Sequence, residues 1–294
     1  MKLKYFENSF LDKKENVLIL NAEDGHVENF GKQWRDYSDV QIDSLNDFEL
    51  SKKMLEELLF QDLDFLNNKT VLEIGCGAGR FTEYLVKHAK ECVSLDLSSA
   101  IFYNVAKEEE NLVRIKADFL NLNPREKFDV VLCRGVLQHT PHPKLSIQKL
   151  FEFVEDSGFV FFDIYPKPKV GLLHPKYLIW RPLFKNLIPY EKCEIFLNSN
   201  IKTILRYKRF IKKVLFNSKF ISDCFIPVWD YHGVLDLTEE QLEKWAVLDT
   251  LDGLYAHYDI PMSNREVLNL LEKLNFEVLS SKKEKNIFKV CLSR

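Results

Sequence analysis

The stretch TVLEIGCGAGRFTEYLVKHAKECVSLDL (70–97) decides the fold. Its opening, TVLEIG (70–75), is an almost unbroken apolar run, as expected of a strand covered on both faces. Gly75, Gly77 and Gly79 then put three glycines into five positions. That density suits a sharp turn at positive φ, with bare backbone open to a ligand. RFTEYLVKHA (80–89) returns to helical spacing, and CVSLDL (92–97) is a second apolar strand in which Asp96 closes the run.

Working outward, VRIKAD (113–118), FDVVLCRG (128–135) and GFVFFDIY (158–165) read as further strands. SAIFYNVAKEEE (99–110) and KLSIQKLFEFV (144–154) read as helices between them, and LSKKMLEELLFQDLDFL (50–66) as a helix before them. FEVLSSKKEKNIFKVCLS (276–293) reads as two strands around a charged turn. Thr238 with Gln241, and Ser263 with Glu266, are capping boxes opening helices to about Leu248 and about Leu274. The expected fold is α/β: a doubly wound, Rossmann-like, seven-stranded and mostly parallel sheet with a C-terminal antiparallel hairpin. A mainly helical insertion is expected beside it. The expected organisation is an N-terminal extension and lid over 1–67, a core over 68–165 and 236–294, and a basic, aromatic-rich insertion over 166–235. Residues 1–30 show no clear period.

Asp96 lies 21 residues after Gly75. A carboxylate at that place can accept from both hydroxyls of a ribose. The glycines are spaced G-x-G-x-G, and bulky Arg80 and Phe81 follow. A dinucleotide site prefers G-x-G-x-x-G, with a helix start on the pyrophosphate. The departure favours S-adenosylmethionine, which has no pyrophosphate, over a nicotinamide dinucleotide.

VLEIGCGAGRFT (71–82), VSLDLS (93–98), ADF (117–119) and FDVVLCRGVLQHTPHP (128–143) resemble the successive motifs of class I S-adenosylmethionine-dependent methyltransferases. FGKQW (30–34), GVLQHTPHP (135–143) and LDTLDGLYAHYDIP (248–261) resemble a bacterial subgroup of methyltransferase-domain proteins, some of which act on surface glycans or other small molecules. The resemblance implies S-adenosylmethionine as cofactor, held at the turn of Gly75, Cys76, Gly77 and Gly79. Glu73, Gly75 and Gly77 would line its methionine portion. Asp96 would hold the ribose, Leu97 would flank the adenine, and Asp118 with Phe119 would meet the adenine edge. Backbone at Arg134 and Gly135 would approach the amino group. The alternative for Asp118 is a helix or loop cap.

A hydroxyl acceptor benefits from a base near neutral pH, and histidine is the natural one. His139, after the fourth strand, and His257, in LYAHYDIP, are the candidates; either also reads as a structural histidine. Gln33 and Trp34 are candidates for a lid over the cofactor.

The 294 residues carry a net charge of −3 and six cysteines without a CxxC pair, so no metal site is expected. Reduced thiols and the lack of a long apolar run suggest a cytoplasmic protein. Residues 167–219 hold 13 Lys or Arg against Glu191 and Glu194. Within them, IKTILRYKRFIKKVLF (201–216) reads as a basic amphipathic helix able to lie weakly on an anionic membrane, which would place the protein at the inner face of that membrane. Nucleic acid is not expected as a partner. The expected function is O-methylation of a small molecule or of a sugar of a glycan or its precursor. The alternatives are a membrane-peripheral enzyme acting on a lipid or quinone-like acceptor, and a cofactor-binding protein without catalysis.

Overall fold

The computed structural model describes residues 4–9, 11–20, 23, 25–46, 48–214 and 219–292. The chain opens with strands β1 (Asp12–Lys14) and β2 (Val17–Ile19) and helices α1 (Glu28–Asp36) and α2 (Leu50–Leu59). There follow β3 (Thr70–Ile74), α3 (Thr82–His88), β4 (Glu91–Asp96), β5 (Leu112–Lys116), β6 (Phe128–Cys133), α4 (Pro143–Leu150) and β7 (Val154–Asp163). Helices α5 (Arg181–Leu187), α6 (Tyr190–Val214), α7 (Lys219–Phe225) and α8 (Glu239–Tyr255) come next. The chain closes with α9 (Asn264–Lys273), β8 (Phe276–Lys282) and β9 (Ile287–Leu292). Two units result: Met1–Lys167 with His257–Arg294, and Pro168–Ala256.

The first unit is built on one sheet in the order β1-β2-β5-β4-β3-β6-β7-β9-β8. Strands β2 to β7 pair in parallel, and the β1–β2 and β8–β9 hairpins are antiparallel. The apolar run of β3 serves both faces. Val71 packs with Leu55, Leu59 and Leu85 on one side, while Leu72 and Ile74 pack with Leu95 and Phe162 on the other. Each fully buried Leu or Phe contributes roughly 2 kcal/mol. The strand order reverses at β3, which opens a crevice at the carboxyl ends of β3, β4 and β6, where such sheets bind ligands.

The doubly wound class and the terminal hairpin are as the sequence predicts, but the sheet has nine strands rather than seven. The extra hairpin, β1–β2, is polar along DKK and leaves no apolar alternation to read. Its two-residue turn uses Glu15 and Asn16 at φ +50° and +59°, without glycine. The helix expected over 99–110 is absent: a short 3-10 helix spans Ser99–Tyr103 and stops at Asn104. The buried Asn104 amide donates to the Thr82 hydroxyl (3.1 Å), and its oxygen accepts from Ala106 N–H (3.0 Å). Those bonds compete with a helical continuation. The helix expected over 50–66 ends at Leu59, because Phe60 turns left-handed at φ +58°.

In the second unit, α6 turns Tyr190, Cys193, Leu197, Ile201, Leu205 and Lys208 inward at spacings of three and four. Both capping boxes are present, at Thr238–Gln241 and Ser263–Glu266. Helix α8 runs to Tyr255 and belongs to the second unit, whereas the sequence places residues from 236 on in the core. It is fixed there at its last turn. The Arg181 guanidinium donates to the carbonyls of Gly253 (2.8 Å) and Ala256 (2.6 Å), a favourable cation at a helix C-terminus. Tyr255 Oη donates to the Ile188 carbonyl (3.0 Å).

Candidate functional site

The glycine turn is tied to β4 by its first two amides, since Gly75 N–H (2.8 Å) and Cys76 N–H (3.1 Å) both donate to the Leu95 carbonyl. Gly77 N–H donates to Asp96 Oδ2 (2.7 Å), and Asp96 Oδ1 accepts from Ser98 N–H (2.8 Å) and Ser98 Oγ (2.7 Å). The carboxylate is thus locked at the strand end, with three donors from the turn and from Ser98 fixing its orientation. At Gly75 (φ +78°) an added Cβ would lie 2.1 Å from Val136 Cγ2. At Gly77 (φ +53°) it would lie 2.7 Å from the Trp34 indole. Trp34 therefore rests on the turn from α1, as a lid residue would. Gln33, its neighbour, is buried. Gly79 has φ +94°.

Cys76 stands at the turn with its side chain turned into the fold. Its side chain is buried with Val17 and Ile101, and burial pushes its thiol well above the ordinary value. A neutral thiol packed among aliphatic groups is a small hydrophobe, so Cys76 offers a ligand no polar side chain. Leu97 is half-buried and Phe119 is buried in the core of the first unit. Asp118 acts as a cap: Oδ1 accepts from Leu120 N–H (3.0 Å) and Oδ2 from the Asn121 amide (3.1 Å).

Glu73 is the most unusual group near the turn. Oε2 accepts from the Thr82 hydroxyl (2.6 Å) and the Ser94 hydroxyl (2.7 Å), while Oε1, buried, meets no hydrogen-bond partner among the described residues. Burial pushes the carboxyl up to about 7, the two hydroxyl bonds opposing it and the Asp96 charge adding to it. Glu73 lines a small cavity with Leu55, Leu58, Gly75, Phe81 and Arg134. Arg134 sits over the Phe81 ring (5.7 Å) and donates to the Met54 carbonyl. Gly135 N–H is held by Asp163 Oδ1 (2.6 Å), a carboxylate raised by burial against the opposing charge of Arg134. An unpartnered buried carboxylate oxygen beside bare glycine backbone suits a cationic, amino-acid-bearing ligand. With Asp96 at the next strand end, this donor set fits S-adenosylmethionine.

A second constellation lies beyond β6. His139 is buried, and its Nδ1 is 2.9 Å from the Tyr258 carbonyl. A carbonyl can only accept, so Nδ1 carries the proton and Nε2 keeps its lone pair in the neutral ring. The imidazole packs against Phe30 (4.8 Å) and edge-on to Tyr165 (5.5 Å). His257 is exposed and stacks edge-on to Tyr258 (4.5 Å). His26, which sequence reasoning missed, joins them: it lies 5.2 Å from Tyr258 and 6.3 Å from His257. Burial holds His26 below its ordinary value, with Asp118 opposing and the two other imidazoles assisting. His26 sits four residues before Phe30, and that i,i+4 spacing was the only signal available in a segment without period. Among the described residues no group of three or more His, Cys, Asp or Glu is arranged to hold a metal ion.

A family profile described as a methyltransferase domain matches residues 48–281. The chain is 28% identical over 158 residues to the ubiquinone biosynthesis O-methyltransferase of Pasteurella multocida (strain Pm70), covering 49% of this chain and 65% of that one. It is 34% identical over 105 residues to the protein of the same name from Nitrosomonas europaea, covering 33% of this chain and 44% of that one. The chain therefore spans 44% to 65% of the length of these relatives. Among solved structures, PKMT2 from Rickettsia typhi shares the fold with a TM-score of 0.51 at 16% identity, over 80% of this chain and 44% of that chain.

Proposed function

Because this chain belongs to the methyltransferase-domain family, among the class I S-adenosylmethionine-dependent methyltransferases, we propose that it methylates an oxygen of a small acceptor, and that the acceptor is a phenol like those of quinone precursors. Bound at the glycine turn, S-adenosylmethionine supplies a methyl group on a positively charged sulfur that leaves readily. Asp96, at the end of β4, meets the ribose hydroxyls, and Glu73 presents Oε1 to the cationic end. Trp34 covers the turn and excludes water from it.

The observation that carries the proposal is His139. Its Nδ1–H is spent on the Tyr258 carbonyl, so Nε2 is the acceptor and can take the acceptor's hydroxyl proton. A phenol ionises near pH 10 and gives up its proton to a general base far more readily than a sugar hydroxyl, a much weaker acid. The aromatic surroundings of the ring, Phe30 and Tyr165, suit a flat acceptor better than a sugar. The names of the curated relatives support the same class.

The test is S-adenosylhomocysteine formation, measured by mass spectrometry, with a polyprenyl catechol, a simple catechol and a set of nucleotide sugars. The catechols should turn over, and His139→Gln should lower kcat by about a hundredfold or more while leaving cofactor affinity intact. Turnover of sugars alone would overturn the choice of acceptor, and full activity of the variant would overturn the role of His139.

A further inference from the structure

Helix α6 departs from what its sequence suggests. The sequence reads as a basic amphipathic helix in which Ile201, Ile204, Leu205, Ile211, Val214 and Leu215 interleave with Lys202, Arg206, Lys208, Arg209, Lys212 and Lys213. In the structure Ile201 and Leu205 are buried inside the second unit, and Lys208 is buried with them. The Lys208 ammonium donates to Asp223 (2.5 Å) and to the carbonyls of Ile226 (3.1 Å) and Val228. Val214 instead points outward, 59% exposed. Leu215 and Phe216 lie outside the described residues.

A second apolar stripe runs along the outer side. Phe196, Tyr207, Phe210 and Val214 are 58%, 62%, 63% and 59% exposed. Their spacings of 11, 3 and 4 residues bring them into one line about 27 Å long. Beside that line, Lys202, Arg206 and Lys213 form a parallel row, all exposed. From Lys202 to Val214 the helix contains no acidic residue. Besides Asp223, Glu239 interacts with it, its carboxyl held below its ordinary value by His232 and, more weakly, by Arg209 and Lys202. Arg206 and Lys213 are not among the groups that act on it. Most of the large apolar side chains exposed among the described residues belong to this same unit, Leu173, Leu178 and Leu187 among them.

We propose that the outer face of α6 is a docking surface for an anionic lipid bilayer, with Phe196, Tyr207, Phe210 and Val214 entering the headgroup boundary and Arg206 and Lys213 meeting lipid phosphates. Aromatic side chains beside cations, without intervening acids, match a lipid interface in both polarity and charge. No helix of the described residues is long and apolar enough to cross a membrane, so the contact is one of surface. The inference does not depend on which hydroxyl the enzyme methylates.

The test is co-sedimentation of the full chain with phosphatidylcholine vesicles, with and without about 30% phosphatidylglycerol, at about 0.05 M and 0.5 M salt. Binding should appear with the anionic vesicles at low salt, be absent with pure phosphatidylcholine, and fall at high salt. The double variant Tyr207→Glu with Phe210→Glu should weaken it at least about tenfold, and Arg206→Glu with Lys213→Glu should abolish it. All four side chains are exposed, and circular dichroism with cofactor titration checks that the variants fold; if the first pair does not, Tyr207→Ser with Phe210→Ser replaces it. No binding to anionic vesicles, or binding that neither pair weakens, overturns the proposal. So does a sedimenting dimer that the Tyr207/Phe210 pair breaks while vesicle binding stays the same, since a second copy would then cover the stripe.

Discussion

Glu73→Gln isolates the energetics of the site's buried carboxyl. In the folded chain burial lifts this group from 4.5 to about 7. At 1.36 kcal/mol for each pH unit, that corresponds to about 3 kcal/mol. Between pH 4.5 and 7 the unfolded chain has released the proton and the folded chain has kept it. The folded state then binds more protons, and stability falls as pH rises. The contribution is complete below pH 4.5 and lost once the pH passes 7. A glutamine in its place stays neutral at every pH, and its carbonyl can still accept from the Thr82 and Ser94 hydroxyls. Urea unfolding followed by tryptophan fluorescence at pH 5, 6, 7 and 8 reads the difference directly. The variant should gain on the wild type by about 2 to 3 kcal/mol between pH 5 and pH 8. Stability curves that stay parallel across this range would refute the reasoning, because they would mean that Glu73 titrates alike in both states.

Three further outcomes test other parts of the structure. Gly77→Ala forces a side chain into a left-handed residue and against the Trp34 indole, so it should cost about 1 to 2 kcal/mol and weaken cofactor binding, as urea unfolding and calorimetry would show. Thr238→Ala removes the cap of α8 and should cost about 1 kcal/mol in the same unfolding assay, with cofactor affinity unchanged. Because burial holds His26 below its ordinary value, it should stay neutral at a pH where an exposed histidine has charged; NMR titration of its ring protons should show a midpoint below 6.5.

The strand–turn–helix around Gly75 was legible because a parallel strand covered on both faces is apolar at nearly every position, Glu73 being the exception in β3, and the turn after it leaves glycines as its mark. The capping boxes were legible for a similar reason, since Thr238 with Gln241 and Ser263 with Glu266 act within one turn. What the sequence hid depends on contacts distant along the chain. Asn104 ends a helix through a hydroxyl on α3, and nothing near residue 104 announces it. Helix α8 is buried on nearly all sides from Trp245 to Tyr255, so its apolar residues show no face by which to follow it. The direction of α6 was misread because Lys208 looks like a surface lysine until Asp223 and two carbonyls surround it. In the site, Asp96 and Glu73 could be named from motif and spacing. The aromatic wall around His139 could not, because Phe30, Tyr165 and Tyr258 come from three separate parts of the chain.

The central claim is that the carboxylates at the ends of β3 and β4 and the glycines between them hold S-adenosylmethionine. Isothermal titration of the wild type and of Asp96→Ala with S-adenosylmethionine measures it most directly. The wild type should bind with one site per chain, and the variant at least about tenfold more weakly, as the loss of a charged hydrogen-bond acceptor for two hydroxyls requires. Equal affinity in the two proteins, or no heat from the wild type, would contradict it.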